Sequence, residues 1–354
     1  MKLEATVEHV RLTDPLRPTA GSVAGGGWVG TLRPLIHVTL EAADGVVGHG
    51  EAAPLEAYDG VSVQTALEAL AAHTSVLATV ELPDTDVRAA CAKADPLPQA
   101  LAAVDLALWD AAGRRAEKPA AELLGPSAPE PIAVNATIGA VAPDAAALEA
   151  AEARKAGFAC IKVKVGTPDD RQRLAAVREA VGPEMLIRVD ANGAWNQLSA
   201  PERIRALSRF DIELFEEPVH GLDAIRAVAH AVPEASLALD ESAGDAMGPH
   251  AQRVCDAVCL KIAASGGITG LLRDAEAARA KGYEVYVAST LDGPLGIAAA
   301  LHAAAAIGPD RHCGLATLSR FDRPTPSELT AAGGHMRVPA GQGLGDGLTA
   351  WYRE

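Results

Sequence analysis

Six residues in the middle of this 354-residue chain have types and spacings that can do chemistry: Lys162, Lys164, Asp190, Glu216, Asp240 and Lys261. Each closes a short apolar run, in CIKVKVG, LIRVDANG, ELFEEP, LALDES and AVCLKIA. Side chains alternate faces along a strand, so Ile161, Val163 and Val165 share one side while both lysines share the other. A face carrying two ammonium groups must meet something other than hydrocarbon. A single charge at a strand end is ordinarily a solvated loop residue, but five successive ends ordered base, acid, acid, acid, base describe a site. Carboxylates from three adjacent strands can converge on one hard divalent cation. A set of oxygen donors without cysteine or histidine suits Mg²⁺ better than Zn²⁺. Glu217 and Glu241 stand beside two of the acids and compete for the same role. Lysines facing such a cation should fall from a pKa of about 10.4 toward the 7 to 8 useful in a general base. A carboxylate substrate chelated by Mg²⁺ would have its α-proton acidified, because the metal stabilises the enediolate that forms. Lys164, last on its strand, would take that proton, and Lys261 would return one or hold charge.

The elements that position these residues follow a rhythm. From about residue 131, eight apolar runs alternate with alanine-rich helical stretches: IAVNATIG, the five above, EVYVAST and HCGLAT. The later seven recur at spacings of about 20 to 30 residues, the period of a parallel barrel with its helices outside. Active sites of such barrels lie at the C-terminal ends of the strands. Lysines on the second and sixth of eight strands would then stand opposite each other, with the acids between them. Residues 1 to about 60 read as antiparallel strands with an Asp44-Gly45 turn, followed by helices from about 62 to 116. The glycine- and proline-rich stretch PLRPTAGSVAGGGWVG between the first two strands reads as a lid loop. The expected architecture is α/β: a TIM-type barrel over 121–320, an α+β capping domain over 1–120, and a segment at 321–354 that packs back on the cap.

Composition narrows the partners. A net charge of -15 argues against a nucleic-acid partner, which needs basic patches. The 14-residue run LGIAAALHAAAAIG is too short to span a bilayer and reads as a packed helix, with His302 a core residue. Five cysteines form no CxxC pair, and together with the lack of a signal peptide they suggest a cytoplasmic protein. A small-molecule carboxylate is the expected substrate, and a homo-oligomer the expected assembly.

These residues resemble the enolase superfamily, muconate lactonizing enzyme subgroup, over nearly the whole chain, including AAVDLALWDAAGR and PAAELLG. The resemblance implies a capping domain over a modified (β/α)7β barrel, with KVK supplying Lys162 as support and Lys164 as acid/base. It implies Asp190, Glu216 and Asp240 as Mg²⁺ ligands from VDAN, FEEP and LDES, and Lys261 as the opposite lysine. Glu217 and Glu241 would then stand behind the ligands. The motif does not choose among the subgroup's reactions. EVYVASTLDG lacks the histidine of mandelate racemase relatives, and CGLATLSRF lacks the Asp-x-Asp of many dipeptide epimerases. GEAAPLEAYDG, IAVNATIGA and HCGLATL look most like o-succinylbenzoate synthases, so dehydration is the leading expectation. A dipeptide epimerase or N-acylamino acid racemase is the first alternative. A muconate-type cycloisomerase, toward which STLDGPLG departs with Asp292 available to a cationic or lactone-forming substrate, is the second. A non-catalytic barrel scaffold is the reading from another class.

Overall fold

The computed structural model describes residues 1–16, 30–79, 86–125 and 129–353. The lid expected at Gly25 to Trp28 lies outside them. Three antiparallel strands, β1 (Lys2–Leu16), β2 (Gly30–Glu41) and β3 (Val47–Ala52), form the first sheet in the order β1-β2-β3. The β2–β3 turn is the one the sequence predicts. Asp44 accepts a hydrogen bond from the Val46 amide, and Gly45 adopts a φ of 80°. The alternating Ile36, Val38 and Leu40 are fully buried on one face of this sheet. The helix Pro98–Ala116 packs closely against β3. A side-chain carbon at Gly48 or Gly50 would come within 2.0 Å of the Ala107 or Ala103 carbonyl oxygen, so only glycine opposite alanine allows this approach.

The second sheet contains seven parallel strands in chain order: β5 (Ala136–Ile138), β6 (Cys160–Lys164), β7 (Leu186–Asp190), β8 (Ile212–Glu216), β9 (Leu237–Leu239), β10 (Ala257–Lys261) and β11 (Glu284–Ala288). Just before them, β4 (Ile132–Ala133) pairs antiparallel with β12 (His335–Met336). Six of the eight predicted runs form barrel strands directly, and the first splits between β4 and β5. The eighth does not form a strand. Cys313 and Gly314 of HCGLAT make single parallel bridges to Val134 and Ala288, one at each edge of the sheet. Hydrogen bonds from Asn135 N to Cys313 O (2.9 Å) and from Gly314 N to Val287 O (2.8 Å) complete the closure. Two residues thus close the ring. Ile161, Val163 and Val165 are fully buried among the outer helices, which leaves the lysine face of β6 turned inward.

Buried polar groups join the antiparallel sheet to the barrel. Arg33, fully buried on β2, donates to the carbonyls of Ala53 and Pro54 just before the short helix Glu56–Asp59, and to those of Thr290 and Leu291 after β11. Glu51 of β3 accepts from the Gly293 amide at 2.8 Å and from the Tyr352 hydroxyl near the C-terminus. Asp292, which the cycloisomerase alternative would leave available to substrate, is buried at this seam, where the amide and hydroxyl of Thr290 bond to it.

Burial, reinforced by Asp292, raises Glu51 to about 8. The folded protein therefore keeps a proton between about pH 4.5 and 8 that the unfolded chain has released, and its stability falls as pH rises through that window. Glu51→Gln keeps an acceptor for Gly293 without the ionisation. Its melting temperature relative to wild type should climb by a few degrees from pH 5 to pH 8.5, measured by calorimetry at several pH values. A constant difference would show that Glu51 is already ionised in the fold across this range and that burial does not raise it.

Candidate functional site

Strand alternation and parallel register together build the site. On β6, Lys162 and Lys164 point into the barrel, and register places Lys164 beside Asp190 and Asp190 beside Glu216. The Lys162 ammonium donates to Glu216 Oε1 at 2.8 Å and lies 3.0 Å from Asp190 Oδ2. Lys164 donates to the same Asp190 oxygen at 2.6 Å and to Asn192 Oδ1 at 2.7 Å. Across the ring, Lys261 pairs with Asp240. The fold therefore brings all six residues together, and Asp190, Glu216 and Asp240 are almost wholly removed from solvent.

Tyr58, in the short helix Glu56–Asp59 above the barrel, completes this side. Its hydroxyl donates to Asp240 Oδ1 at 2.8 Å and accepts from Lys261 at 2.8 Å, and its ring centroid lies 4.1 Å from the same ammonium. Leu55 and Tyr58 form one wall of a cavity of about 810 Å³ that also reaches Lys162, Lys164, Asp240 and Lys261. Such a volume suits a small organic molecule.

Charge in this space is unbalanced. Burial alone would raise Asp190, but Lys162 and Lys164 outweigh it and hold the carboxyl well below its ordinary range. Asp240 is lowered against burial, chiefly by Lys261. Glu216 goes the other way, to about 7, because burial, Asp190 and Asp240 prevail over its lysines. Glu241 is pushed to about 8 by burial, Asp240 and Asp190. With the acids as their partners, Lys162 and Lys261 shift the other way from the fall expected of lysines facing a cation. Burial does pull them down, but the carboxylates paired with each outweigh it, and both are raised. The sequence places each lysine near a cation but cannot show that each also grips an acid.

Fully ionised, the five carboxylates Asp190, Glu216, Glu217, Asp240 and Glu241 would outnumber the three lysine ammonium groups by two, and the raised values of Glu216 and Glu241 are the mark of that excess. A divalent cation would cancel that excess, and oxygen donors fit a hard one. The ligand atoms of Glu216 and Asp240 lie within 4.8 Å of each other, with the Cys259 thiol in the same group. Asp190 is linked to them through Lys162. Glu217 takes a supporting place: it accepts from the Asp240 amide at 2.8 Å and from Ser242, bracing the turn after β9. Its backbone, with a φ of 37°, is in the left-handed region. Glu241 accepts from Asn192 at 3.0 Å.

Tyr58, Asn192, Cys259 and Tyr286 were not singled out by sequence reasoning. Cys259 had a usable signal, since it stands two residues before Lys261 and so shares its face of β10. His302 is a core residue as expected, fully buried, with the Ala121 amide donating to it.

Comparisons with known proteins agree with this architecture. The family model for the mandelate racemase / muconate lactonizing enzyme N-terminal domain matches residues 5–125, and the enolase C-terminal domain-like model matches residues 145–350. A hydrophobic dipeptide epimerase from Enterococcus faecalis is 32% identical over 281 residues, covering 76% of this chain and 78% of that protein. An N-succinyl-L-Arg/Lys racemase from Bacillus cereus is 29% identical over 283 residues, covering 77% and 76%. An o-succinylbenzoate synthase from Thermobifida fusca is 38% identical over 196 residues, covering 53% and 60%. The crystal structure of the E. faecalis dipeptide epimerase complexed with Mg and the dipeptide L-Leu-L-Tyr superposes with a TM-score of 0.85 at 26% identity, covering 97% of this chain and 98% of that one. No helix among the described residues is long and apolar enough to cross a membrane.

Lys162 is the central strut of the site, and its loss leaves two buried carboxylates without their shared counter-charge. Lys162→Met should destabilise the chelator-treated protein by about 3–5 kcal/mol, measured by urea denaturation. A loss under about 1 kcal/mol, the scale of an exposed ion pair, would contradict the burial and pairing described.

Proposed function

The chain belongs to the mandelate racemase / muconate lactonizing enzyme group of the enolase superfamily, whose members are isomerases and lyases, and from that premise we propose that it epimerises an N-acylated α-amino acid at the carbon next to its free carboxylate. A dipeptide is one case of that class. The observation that carries this reading is the placement of Lys164 and Lys261 on opposite walls of one cavity, each with its ammonium inside it. Inversion at carbon needs an acid/base group on each face of the reacting centre, whereas elimination can proceed with one.

Asp190, Glu216 and Asp240 would hold Mg²⁺, which when bound supplies the positive charge that acidifies the α-proton of a bound carboxylate. The chain's own residues do the rest. Lys164, neutral at the moment of reaction, accepts the proton from one face, while Lys261, protonated, delivers one to the other. For the opposite enantiomer the roles exchange. Lys162 keeps Asp190 and Glu216 together. Tyr58 orients Lys261 and covers it from above. The wall formed after β11 and by the eighth run contributes Gly314, Ala316 and Thr317 to the cavity and no carboxylate. Carboxylates enter the cavity elsewhere, as Glu149 and Glu152, and Arg320 adds a cation, so the eighth run itself presents only neutral groups to the substrate.

Dehydration to o-succinylbenzoate remains the second reading. It is favoured by the 38% identity to the T. fusca synthase over part of the chain, and there Lys164 would work alone on one face.

Proton exchange in D₂O followed by NMR separates the two. With N-succinyl amino acids and L,L-dipeptides as substrates, wild type should exchange the α-proton of both enantiomers and interconvert them. Lys164→Ala and Lys261→Ala should each lose interconversion by about 10³-fold or more, while each retains exchange of one enantiomer, a different one in each variant. If Lys261→Ala still interconverts both, the two-base reading fails. Turnover of the synthase substrate in the ultraviolet, without exchange in the panel, would establish the second reading. Asp240→Asn should weaken calorimetric Mg²⁺ binding by at least about tenfold, and unchanged affinity would remove Asp240 from the ligand set.

A further inference from the structure

On β11 the alternation that buries Val285 and Val287 outward turns Tyr286 and Ala288 into the barrel, and register sets Tyr286 beside Cys259 of β10. Tyr286 is 2% exposed. Its hydroxyl lies 2.8 Å from Glu216 Oε2, on β8, three strands away around the ring. The other oxygen of the same carboxylate accepts from Lys162. Beneath the tyrosine ring stands the Arg188 guanidinium, 5.2 Å from the ring centroid. Arg188 is itself held by Glu213 and by the His312 carbonyl, each at 2.7 Å. Arg311 extends this pairing to Glu284 at the barrel floor.

We propose that Tyr286 is a positioning residue for the cation site, holding the Glu216 carboxylate in one orientation from inside the barrel and anchored from below by the Arg188 network. This rests on the reading of Asp190, Glu216 and Asp240 as the place of a divalent cation. In this contact the hydroxyl is the donor and the Glu216 oxygen the acceptor. A glutamate reaches its partner through three rotatable bonds, so a ligand carboxylate gains from having each oxygen held before the cation arrives. Lys162 holds one oxygen and Tyr286 the other. No residue of the first sheet reaches Glu216 in the described structure, so this support comes from the barrel alone.

The test is Mg²⁺ binding by calorimetry on the full chain, with its melting temperature in chelator as the structural control. Tyr286→Phe keeps the ring over Arg188 and removes only the hydroxyl. Tyr286→Met is a second variant without a hydroxyl, should the first fold poorly. Both should bind Mg²⁺ about tenfold more weakly than wild type. In a Glu216→Gln background, Tyr286→Phe should cause no further loss, since its effect passes through that carboxylate. Affinity within twofold of wild type in either hydroxyl-less variant overturns the proposal, as does an equal loss in both backgrounds. If wild type binds no Mg²⁺, or Asp240→Asn binds it as wild type does, the cation site itself is wrong and this inference falls with it. If Asp240→Asn weakens binding and Tyr286→Phe does not, only this inference falls.

Discussion

The contact on which the rest of this structure depends is the Lys162 ammonium between Glu216 and Asp190, at 2.8 and 3.0 Å inside a closed barrel. Three ionised groups are removed from water there, a cost of several kcal/mol each unless geometry repays it. The barrel makes repayment possible because parallel register brings the ends of β6, β7 and β8 to one level. A chain that gathers acids so closely, and leaves Glu216 and Glu241 displaced upward, is built to receive positive charge. The lysines supply part of it. The residues proposed for the chemistry are therefore also those whose burial the fold must compensate.

The second constraint is the seam between the antiparallel sheet and the barrel. Arg33 spends its donors on main-chain carbonyls from both sides, and Glu51 joins the loop after β11 to Tyr352. These contacts fix the segment from Ala53 to Tyr58 above the strand ends. Tyr58 can meet Lys261 and Asp240 only because that segment is fixed. Hydrogen bonds made by a guanidinium to carbonyls in a dry seam are strong and directional. Arg33, Glu51 and Tyr352 thus help set the roof of the cavity without lining it, acting through residues such as Thr290 and Leu291 that do.

Some features were legible for local reasons. The inward face of β6 follows from alternation alone, and the turn at Asp44-Gly45 follows from residues suited to positive φ. Others were not. HCGLAT resembles a strand in composition, yet it closes the ring through two bridges, because its partners sit at both edges of a sheet already curled around it. Asp292 looked like a substrate contact in STLDGPLG, but the Thr290 turn folds it into the seam. Which acid raises Lys162 and which raises Lys261 depends on distance, and distance between residues far apart in the chain is not written in either run.

The sequence by itself determined the barrel, the inward lysines and the acids at successive strand ends, because periodicity and residue type act over a few neighbouring positions. The tertiary structure decided which acid each lysine grips, and that Tyr58 and Tyr286 reach the site from above and within. The physical reason is the range of the forces. Alternation is set by the local backbone, whereas ion pairing and hydrogen bonding fall off within a few ångströms and act only after closure has brought distant segments together.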